Sequence, residues 1–324
     1  MPKEPLAVIV LAAGKGSRMN SAVPKVLHEI AGQPMVGHVL AAASRLEPES
    51  AIVVVGPDMD AVAKDVAPHP AIVQENQSGT GDAVKVGISA LSEMRDGTVL
   101  VLFGADPLIR TETLAEMVDV REAGAAVVVL GFRATNPSGY GRLIVDATGA
   151  LQSIVEDKDA TPAQREIDLC NAGAMALDAS LLRDLLEQIR DDNAKGEFYL
   201  TDIVGLARAG ELACSVTEAD EAQTMGVDSR ADLARAEAFW QARRREEAMA
   251  SGVTLLDPES VYFAYDTVLG RDVVVGPNVV FGPGVEVAEG VEIKAFSHIE
   301  GARIGAGASI GPFARLRPGT HIGE

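Results

Sequence analysis

The chain has 324 residues, of which 47% are hydrophobic and 23% are charged. These values exclude a disordered chain, because so many apolar residues can bury a core, and the length suits about two average domains. The formal net charge of −19 argues against a nucleic-acid-binding protein, since affinity for a phosphate backbone comes from clustered lysines and arginines.

The N-terminal segment and the cysteines indicate the compartment. No stretch reaches the roughly 20 apolar residues that a membrane-spanning helix needs. The apolar N-terminus is not a signal peptide, because Glu4 interrupts its positive start and a glycine-rich turn follows at once. Cys170 and Cys214 are predicted to be buried free thiols, since one disulfide would be a poor framework for this length. The sequence therefore predicts a cytoplasmic protein.

Short apolar runs alternate with longer amphipathic stretches over residues 1–228. Apolar strands separated by helices predict an α/β fold with a mostly parallel, Rossmann-like sheet and helices on both faces. Ligands of such sheets bind beyond the carboxyl ends of the strands. The predicted strands are Leu6–Leu11, Ala51–Val55, Val99–Phe103 and Ala125–Leu130, and the predicted helices are Pro34–Ser44, Asp82–Met94 and Thr111–Ala123.

A glycine-rich turn, LAAGKGSRM at residues 11–19, follows the first strand. Its glycines allow successive N–H groups to face an anion. Arg18 can grip a phosphate with two N–H groups, and Lys25 adds a point charge. The dinucleotide fingerprint would need a third glycine where Met19 stands, and a Walker loop would end in Gly-Lys-Ser/Thr. The sequence predicts a phosphate-binding turn, the alternative being a plain glycine turn with incidental basic residues.

Residues 229–250 predict one long helix that contains Trp240, the only tryptophan. Asp228 or Ser229 can cap its start, and Gly252 ends it. The run of three arginines at residues 243–245 could suit an anionic partner. The acidic residues that follow favour a solvated helix face instead.

A six-residue period begins after residue 268. Apolar side chains recur at Leu269, Val275, Phe281, Val287, Ile293 and Ile299, and, after one dropped residue, at Ile304, Ile310, Leu316 and Ile322. This period predicts a parallel β-helix whose short faces stack. A solenoid needs a capped end, and the chain stops in mid-repeat at Gly323 and Glu324. We therefore expect a natural polypeptide that continues further.

The glycine-rich turn resembles the signature of sugar-phosphate nucleotidyltransferases. With the hexapeptide tail, the whole chain is similar to the bifunctional UDP-N-acetylglucosamine pyrophosphorylase/glucosamine-1-phosphate acetyltransferases, which are longer at the C-terminus. The resemblance implies a uridylyltransferase domain at 1–228, a linker helix at 229–252 and part of a left-handed β-helix acetyltransferase domain at 253–324. Further matching stretches are QENQSGTGDA (74–83), PSGYGRL (137–143), VEDKDAT (155–161), CNAG (170–173), GEFYLTD (196–202) and IGPFARLRPG (310–319).

The implied reaction transfers uridylyl from UTP to N-acetylglucosamine-1-phosphate and releases pyrophosphate. The attacking phosphate is already an anion, so the protein needs no general base and must instead align the substrates and neutralise charge. The resemblance also implies Mg²⁺, a homotrimer, no nucleic-acid or membrane partner, and a role in making cell-wall and lipopolysaccharide precursors. Two alternatives remain: a related transferase with another nucleotide or sugar, and a nucleotide-binding or assembly module with an impaired metal site.

Carried over residue by residue, the resemblance assigns the site. Arg18 and Lys25 are the implied catalytic cations, which would bind the triphosphate. Leu11, Ala12, Ala13, Gly14, Gln74, Gln77, Gly79 and Thr80 would hold the uridine, with the glutamine amides reading the uracil edge. Gly141, Glu156, Asn171, Tyr199 and Thr201 would hold the sugar phosphate, and Gly104 and Asp228 would also contact substrate. On pattern alone, Glu156 could lie in a solvated loop and Asn171 could satisfy a turn.

The implied metal ligands depart from the family pattern. The family has Gly-Asp after the strand, with the aspartate on the metal, whereas this chain has Ala105 there, followed by Asp106 and Pro107. A residue before proline is extended and points away from its neighbour's side, so Asp106 could be a ligand only after a backbone slip. The second family ligand, an asparagine, is replaced by Asp228, whose carboxylate could offset the one lost.

The C-terminal arginines bear on the second activity of the family. Arg315 and Arg317 lie in the FARLRP stretch, and an arginine that matches Arg317 contributes to the family's acetyltransferase site. The other residues of that site would lie beyond residue 324. We therefore expect no acetyl transfer by this chain.

Overall fold

The computed structural model of the chain describes residues 4–91, 93–193 and 196–323. They form two compact units, the first made of the described residues up to His28 together with Met35–Asp232, and the second of Glu29–Pro34 with the described residues from Leu233 onwards. The N-terminal Met1–Lys3 and the final Glu324, which the predicted domain limits include, lie outside these ranges. Within them, no helix has the length and apolar character to cross a membrane.

Strands and helices alternate along the first unit, close to the predicted bounds. The helices are α1 (Met35–Ser44), α2 (Asp60–Asp65), α3 (Thr80–Ala90), α4 (Thr111–Glu122), α5 (Pro162–Arg165), α6 (Ala179–Gln188), α7 (Asp202–Ala209) and α8 (Arg230–Ala250). The strands up to α8 are β1 (Leu6–Leu11), β2 (Glu29–Ile30), β3 (Gln33–Pro34), β4 (Ser50–Val55), β5 (Ala71–Val73), β6 (Thr98–Phe103), β7 (Val127–Arg133), β8 (Arg142–Val145), β9 (Leu151–Val155), β10 (Leu169–Asp178) and β11 (Cys214–Glu218).

The main sheet runs in the order β11-β7-β10-β6-β1-β4-β5, and β8 pairs with β10 and with β9. Strands β6, β1, β4 and β5 are parallel, whereas β10 is antiparallel to β6 and β7. All six residues of β1 are buried, because a parallel sheet in this fold is covered on both faces. Leu11 pairs with Phe103 of β6 and with Val54 of β4, so the loops that follow these strands meet at one sheet edge.

Both cysteines are buried free thiols, as the sequence predicts. Cys170 lies on β10 and Cys214 begins β11. Burial raises the pKa of both, in Cys214 to about 11. Neither thiol is therefore poised to act as a nucleophile at neutral pH.

The second unit contains the β2–β3 hairpin and most of α8. Ala31 lies at the corner of the hairpin and makes two hydrogen bonds within this unit. Its N–H donates to the Glu237 carboxylate at 2.7 Å, and its carbonyl accepts from the Tyr265 N–H at 2.9 Å. The buried side chain of Gln241 exchanges two hydrogen bonds with the backbone of Phe263, at 2.7 and 2.9 Å.

The prediction of a solvated face for the arginine run is wrong for two of its three members. Arg244 donates to the Thr267 carbonyl at 2.8 Å and lies over the Phe263 ring. Arg245 donates to the Val261 carbonyl at 3.0 Å and lies over the Tyr262 ring. Their stems cover apolar surface while their guanidinium groups satisfy carbonyls, which hydropathy along a helix does not reveal.

The hexapeptide tail forms stacked short parallel strands, as predicted. They are β12 (Thr254–Leu255), β13 (Val268–Leu269), β14 (Val274–Val275), β15 (Val280–Phe281), β16 (Glu286–Val287), β17 (Glu292–Ile293), β18 (His298–Ile299), β19 (Ala302–Ile304), β20 (Ser309–Ile310), β21 (Arg315–Leu316) and β22 (Thr320–Ile322). They make three faces, in the orders β12-β14-β17-β20, β13-β16-β19-β22 and β15-β18-β21. Val274 pairs with residue 292, whereas Glu286 pairs with residue 303. The second coil is thus one residue shorter, as the dropped residue in the repeat indicates.

Candidate active site

A cavity of about 880 Å³ lies at the carboxyl ends of β1 and β6, inside the first unit. Many residues predicted for the site line it, namely Leu11, Ala12, Ala13, Gly14, Lys25, Gln74, Gln77, Gly79, Thr80, Glu156, Asn171, Tyr199 and Thr201. Five others do not, namely Arg18, Gly104, Asp106, Gly141 and Asp228. The cavity therefore joins segments that are far apart in sequence.

The glycine-rich turn brings Lys25 close to the carboxyl end of β1. Gly16 has a left-handed backbone with φ of 60°, and a Cβ there would lie 2.5 Å from the Lys25 Cβ. Any larger residue would push Lys25 away. Lys25 Nζ lies 2.8 Å from one carboxylate oxygen of Asp228, and Arg18 Nη2 lies 2.9 Å from the other.

The two predicted phosphate-binding cations differ in placement. The Lys25 side chain is 17% exposed and lines the cavity, whereas the Arg18 side chain is 72% exposed and does not line it. Arg18 reaches the site only through Asp228. Direct contact between Arg18 and the triphosphate stays a prediction.

The predicted base-reading glutamines are hydrogen bonded within the protein. The Gln74 amide nitrogen donates to the Gly79 carbonyl at 3.0 Å and to the Asp82 carboxylate at 2.7 Å, and Gln74 is buried. The Gln77 amide nitrogen donates to the Ala13 carbonyl. These bonds fix the turn before α3 against the glycine-rich turn. Recognition of the uracil edge by the two amides stays a prediction.

The segment with Tyr199 is tied to the predicted uridine-binding turn. Leu200 donates its backbone N–H to the Thr80 hydroxyl at 3.0 Å, and Phe198 exchanges backbone hydrogen bonds with Ser78 and Gly81, both at 2.8 Å. The two predicted substrate-binding segments are thus directly connected.

Three residues predicted to hold the sugar phosphate lie together. Asn171 donates its backbone N–H to the Gly141 carbonyl at 2.8 Å, and a Cβ on Gly141 would lie 3.6 Å from Glu156 Oε1. The Asn171 side chain accepts from the Gly173 N–H at 2.9 Å, so it also serves the turn, as the alternative interpretation held. Gly141 does not line the cavity, but its carbonyl accepts the hydrogen bond that positions the backbone of Asn171.

Ala105 and Asp106 lie in the turn after β6, where Asp106 donates its N–H to the Phe103 carbonyl at 3.1 Å. Ala105 lines the cavity. Asp106 Oδ1 lies 3.2 Å from where a Cβ on Gly226 would be. Burial raises the pKa of Asp106 to about 7, with a further rise from Asp228 and an opposing effect of Lys25. The Asp106 carboxylate is thus close to Lys25 and Asp228.

The carboxylates near Lys25 are suitable ligands for a divalent ion that is bound by only one or two protein groups. Mg²⁺ accepts one or two protein carboxylates together with waters and substrate phosphates. Asp228 and Asp106 are such carboxylates, and Asp228 is close enough to contribute to the raised pKa of Asp106. Ala105 offers no donor on the cavity side, and the described part of the chain has no cluster of three or more histidine, cysteine or acidic side chains.

Sequence reasoning missed several residues of the cavity wall. They are Lys15, Val26, Asn76, Ala83, Phe103, Gly139, Asp157, Lys158, Asp159 and Glu197. Lys15 and Glu197 lie inside the quoted motifs, so their positions beside assigned residues were a usable signal. Phe103 was not predictable in this way, since it lines the cavity as the last residue of a core strand.

A glycine-rich turn at the edge of a mostly parallel sheet, a lysine in the cavity beside it and a β-helical tail define a sugar-phosphate nucleotidyltransferase. The sequence pattern of the MobA-like NTP transferase domain matches residues 8–167, and that of the bacterial transferase hexapeptide (six repeats) matches residues 266–301. The chain belongs to the family of the bifunctional protein GlmU. It is a sugar-1-phosphate uridylyltransferase of the UDP-N-acetylglucosamine pyrophosphorylase type, and enzymes of this kind depend on a divalent metal.

Individual relatives match over nearly the whole chain. The bifunctional protein GlmU of Paramagnetospirillum magneticum is 54% identical over 326 residues, which cover 100% of this chain and 72% of the relative. The protein of the same name from Paracoccus denitrificans is 52% identical over 327 residues, with the same shares. That of Ruegeria sp. strain TM1040 is 50% identical over 322 residues, 98% of this chain and 71% of the relative. A non-enzymatic module is not favoured by these matches.

Proposed function

We propose that the cavity of the first unit is where UTP and N-acetylglucosamine-1-phosphate react, and that the enzyme acts in the cytoplasm. The observation that carries this proposal is that Lys25 lines the cavity beside the glycine-rich turn, with its ammonium 2.8 Å from the Asp228 carboxylate. The implied uridine-binding residues lie around the turn before α3, and the implied sugar-binding residues lie around Gly141 and Tyr199. The residues of both sets line the same cavity, except for Gly141, which contacts the lining residue Asn171.

The residues contribute binding, alignment and charge. Lys25 neutralises negative charge that spreads over the phosphate oxygens as the sugar phosphate attacks the α-phosphorus of UTP. Backbone N–H groups of the glycine-rich turn can donate hydrogen bonds to the oxygens of the same phosphates. Glu156 and Asn171 would orient the sugar so that its phosphate is aligned with the bond to pyrophosphate, which is the larger part of the work in such a transfer.

The substrates can be tested by pyrophosphate release. We expect UTP with N-acetylglucosamine-1-phosphate to give a kcat/KM at least about ten-fold above that for glucose-1-phosphate or for CTP, because a site built for an amide rejects an analogue that leaves its polar groups unpaired. ATP would serve as the matched purine control. Equal turnover of all sugar phosphates would contradict the assigned sugar.

We propose that Mg²⁺ is the metal, with Asp228 and Asp106 as its protein ligands. When bound, the ion would neutralise phosphate charge and help orient the substrates. Asp228 must release Lys25 or Arg18 to serve as a ligand. Burial raises the pKa of Asp106 to about 7, so a proton competes with the ion for this carboxylate near neutral pH.

Ala105→Asp tests this assignment. Its carboxylate would lie on the cavity side of the loop, so we expect the Mg²⁺ concentration for half-maximal turnover to fall by about ten-fold or more. Ala105→Asn has nearly the same shape without the charge and should give a smaller fall. Binding of Mn²⁺ measured by electron paramagnetic resonance supplies a readout that does not depend on turnover. An unchanged half-saturation in Ala105→Asp would show that this position has no part in metal binding.

We also propose that the second unit mediates assembly into a homotrimer, since flat solenoid faces suit threefold packing. Exposed apolar side chains on the coils support this proposal. Phe296 and Phe313, from successive coils, stack with ring centroids 5.2 Å apart, and they are 54% and 76% exposed. Exposed aromatic pairs of this kind are typical of surfaces that bind other protein chains.

A further inference from the structure

The guanidinium of Arg230 connects the two ends of the phosphate-binding segment. Arg230 is the first residue of α8. Its Nε donates to the Met19 carbonyl at 3.3 Å, and its Nη1 lies 3.2 Å from His28 Nδ1. All three residues belong to the first unit. One side chain thus reaches both before and after the residues that carry the cations.

The two partners of Arg230 are the residues whose backbones close the turns of this segment. Met19 donates its N–H to the Gly16 carbonyl at 2.9 Å, and His28 donates its N–H to the Lys25 carbonyl at 3.2 Å. Arg230 therefore holds the turn that begins at Gly16 and the turn that begins at Lys25. These are the two residues that approach each other closely, since a Cβ on Gly16 would lie 2.5 Å from the Lys25 Cβ.

Each of the two turns buries one apolar side chain, Met19 or Val26. Both turns are three-residue 3₁₀ helices, which have poor hydrogen-bond geometry and form only in short pieces. Residues 20–23, which connect them, are exposed. A segment with few buried contacts opens easily unless a side chain from elsewhere fixes it.

The start of α8 is itself rigid. Asp228 and Ser229 donate their backbone N–H groups to the Asp232 carboxylate at 3.2 and 2.9 Å, and Asp232 donates its N–H to the Ser229 hydroxyl at 3.2 Å. This is a reciprocal cap of the helix start. The same turn therefore carries Asp228, which pairs with Lys25, and Arg230, which holds the backbone around it.

The charge state of His28 agrees with this arrangement. Since arginine only donates, His28 Nδ1 must accept, which requires a neutral ring. Burial, together with the positive charge of Arg230, lowers the pKa of His28, and the backbone of Val23 opposes this shift.

We propose that Arg230 is a positioning residue for uridylyl transfer, which holds the Gly16 and Lys25 turns in register with Asp228 through the Met19 carbonyl and His28 Nδ1. Arg230 does not contact substrate in this proposal. The inference rests on the proposed function of the cavity, because it assigns Arg230 to the triphosphate end of that site.

Arg230→Met, Arg230→Lys, His28→Leu and His28→Asn test the proposal. We expect Arg230→Met to raise the KM for UTP by about ten-fold or more and to change the KM for the sugar phosphate by less than about three-fold. Arg230→Lys should recover part of the loss through one remaining donor. His28→Asn keeps an acceptor near the Nδ1 position and should retain more activity than His28→Leu. Arg235→Met, an exposed arginine of the same helix, is the matched control and should behave as the wild type.

UTP binding by calorimetry and the melting temperature complete the test. Weaker UTP binding in Arg230→Met at an unchanged melting temperature supports the proposal. Unchanged UTP affinity overturns it, as does an equal rise in both KM values together with a clear fall in melting temperature, which would indicate a purely structural role. If the wild type binds UTP but does not turn over the sugar phosphate, the proposed function fails while the calorimetric comparison still decides the role of Arg230.

Discussion

Replacing Lys25 with methionine is expected to lower kcat/KM for uridylyl transfer by about 10²–10³-fold, the usual cost of removing one preorganised group that stabilises transition-state charge. Methionine keeps most of the apolar stem that packs near Gly16 and removes only the ammonium. The loss should be larger than for Arg18→Met, because Arg18 is mostly exposed and lies outside the cavity wall. Pyrophosphate release under single-turnover conditions measures the effect on chemistry.

Lys64→Met is the matched control, because Lys64 is an exposed lysine at the end of α2. It should keep full activity. The Lys25→Met protein should also melt close to the wild-type temperature, since Arg18 still pairs with Asp228. A Lys25→Met protein with wild-type turnover would refute the assignment of this cavity as the active site.

Replacing Arg121 with methionine is expected to destabilise the first unit by about 1–3 kcal/mol, the typical cost of leaving buried hydrogen-bonding groups without their partner. The Arg121 side chain is 5% exposed and pairs with Glu4 and Asp178. It also donates to the Thr98 hydroxyl at 2.6 Å. Methionine would fill part of the space and leave the Thr98 hydroxyl and the partly buried Asp178 without this donor.

Arg133→Met is the control, since Arg133 also pairs with two carboxylates but is 57% exposed. Exposed pairs are worth about 0–1 kcal/mol, so its unfolding free energy should change little. Urea unfolding followed by circular dichroism gives both values under one condition. Equal destabilisation by the two substitutions would show that burial does not decide the contribution of these ion pairs.

The hydropathy pattern along the chain correctly predicted those strands in which each residue's polarity matches its burial. The six buried residues of β1 and the periodic Val and Ile positions of the tail are such cases, because each residue's hydropathy reflects the face it occupies. The dropped residue between Ile299 and Ile304 also predicted the shortened coil, since coil length follows directly from residue count.

Contacts between distant segments could not be predicted in this way. Arg244 and Arg245 look like solvated charges along α8, and only the fold shows the carbonyls of Thr267 and Val261 beside them. The same holds for Arg230, whose acceptors lie about 200 positions earlier in the chain. The resemblance supplied most of the cavity wall, because a motif records contacts that hydropathy does not.

The β2–β3 hairpin limits how the first unit can be produced as a separate protein. A polypeptide ended at Asp232 would keep Ala31 but lose Glu237 and Tyr265, its two partners. The β2–β3 hairpin would then expose the Ala31 amide and carbonyl without these partners. Exposed, unpaired backbone groups at a strand edge can pair with other chains and lead to aggregation. Producing the first unit as a separate protein would therefore require rewriting the six residues of this hairpin, far upstream of the cut.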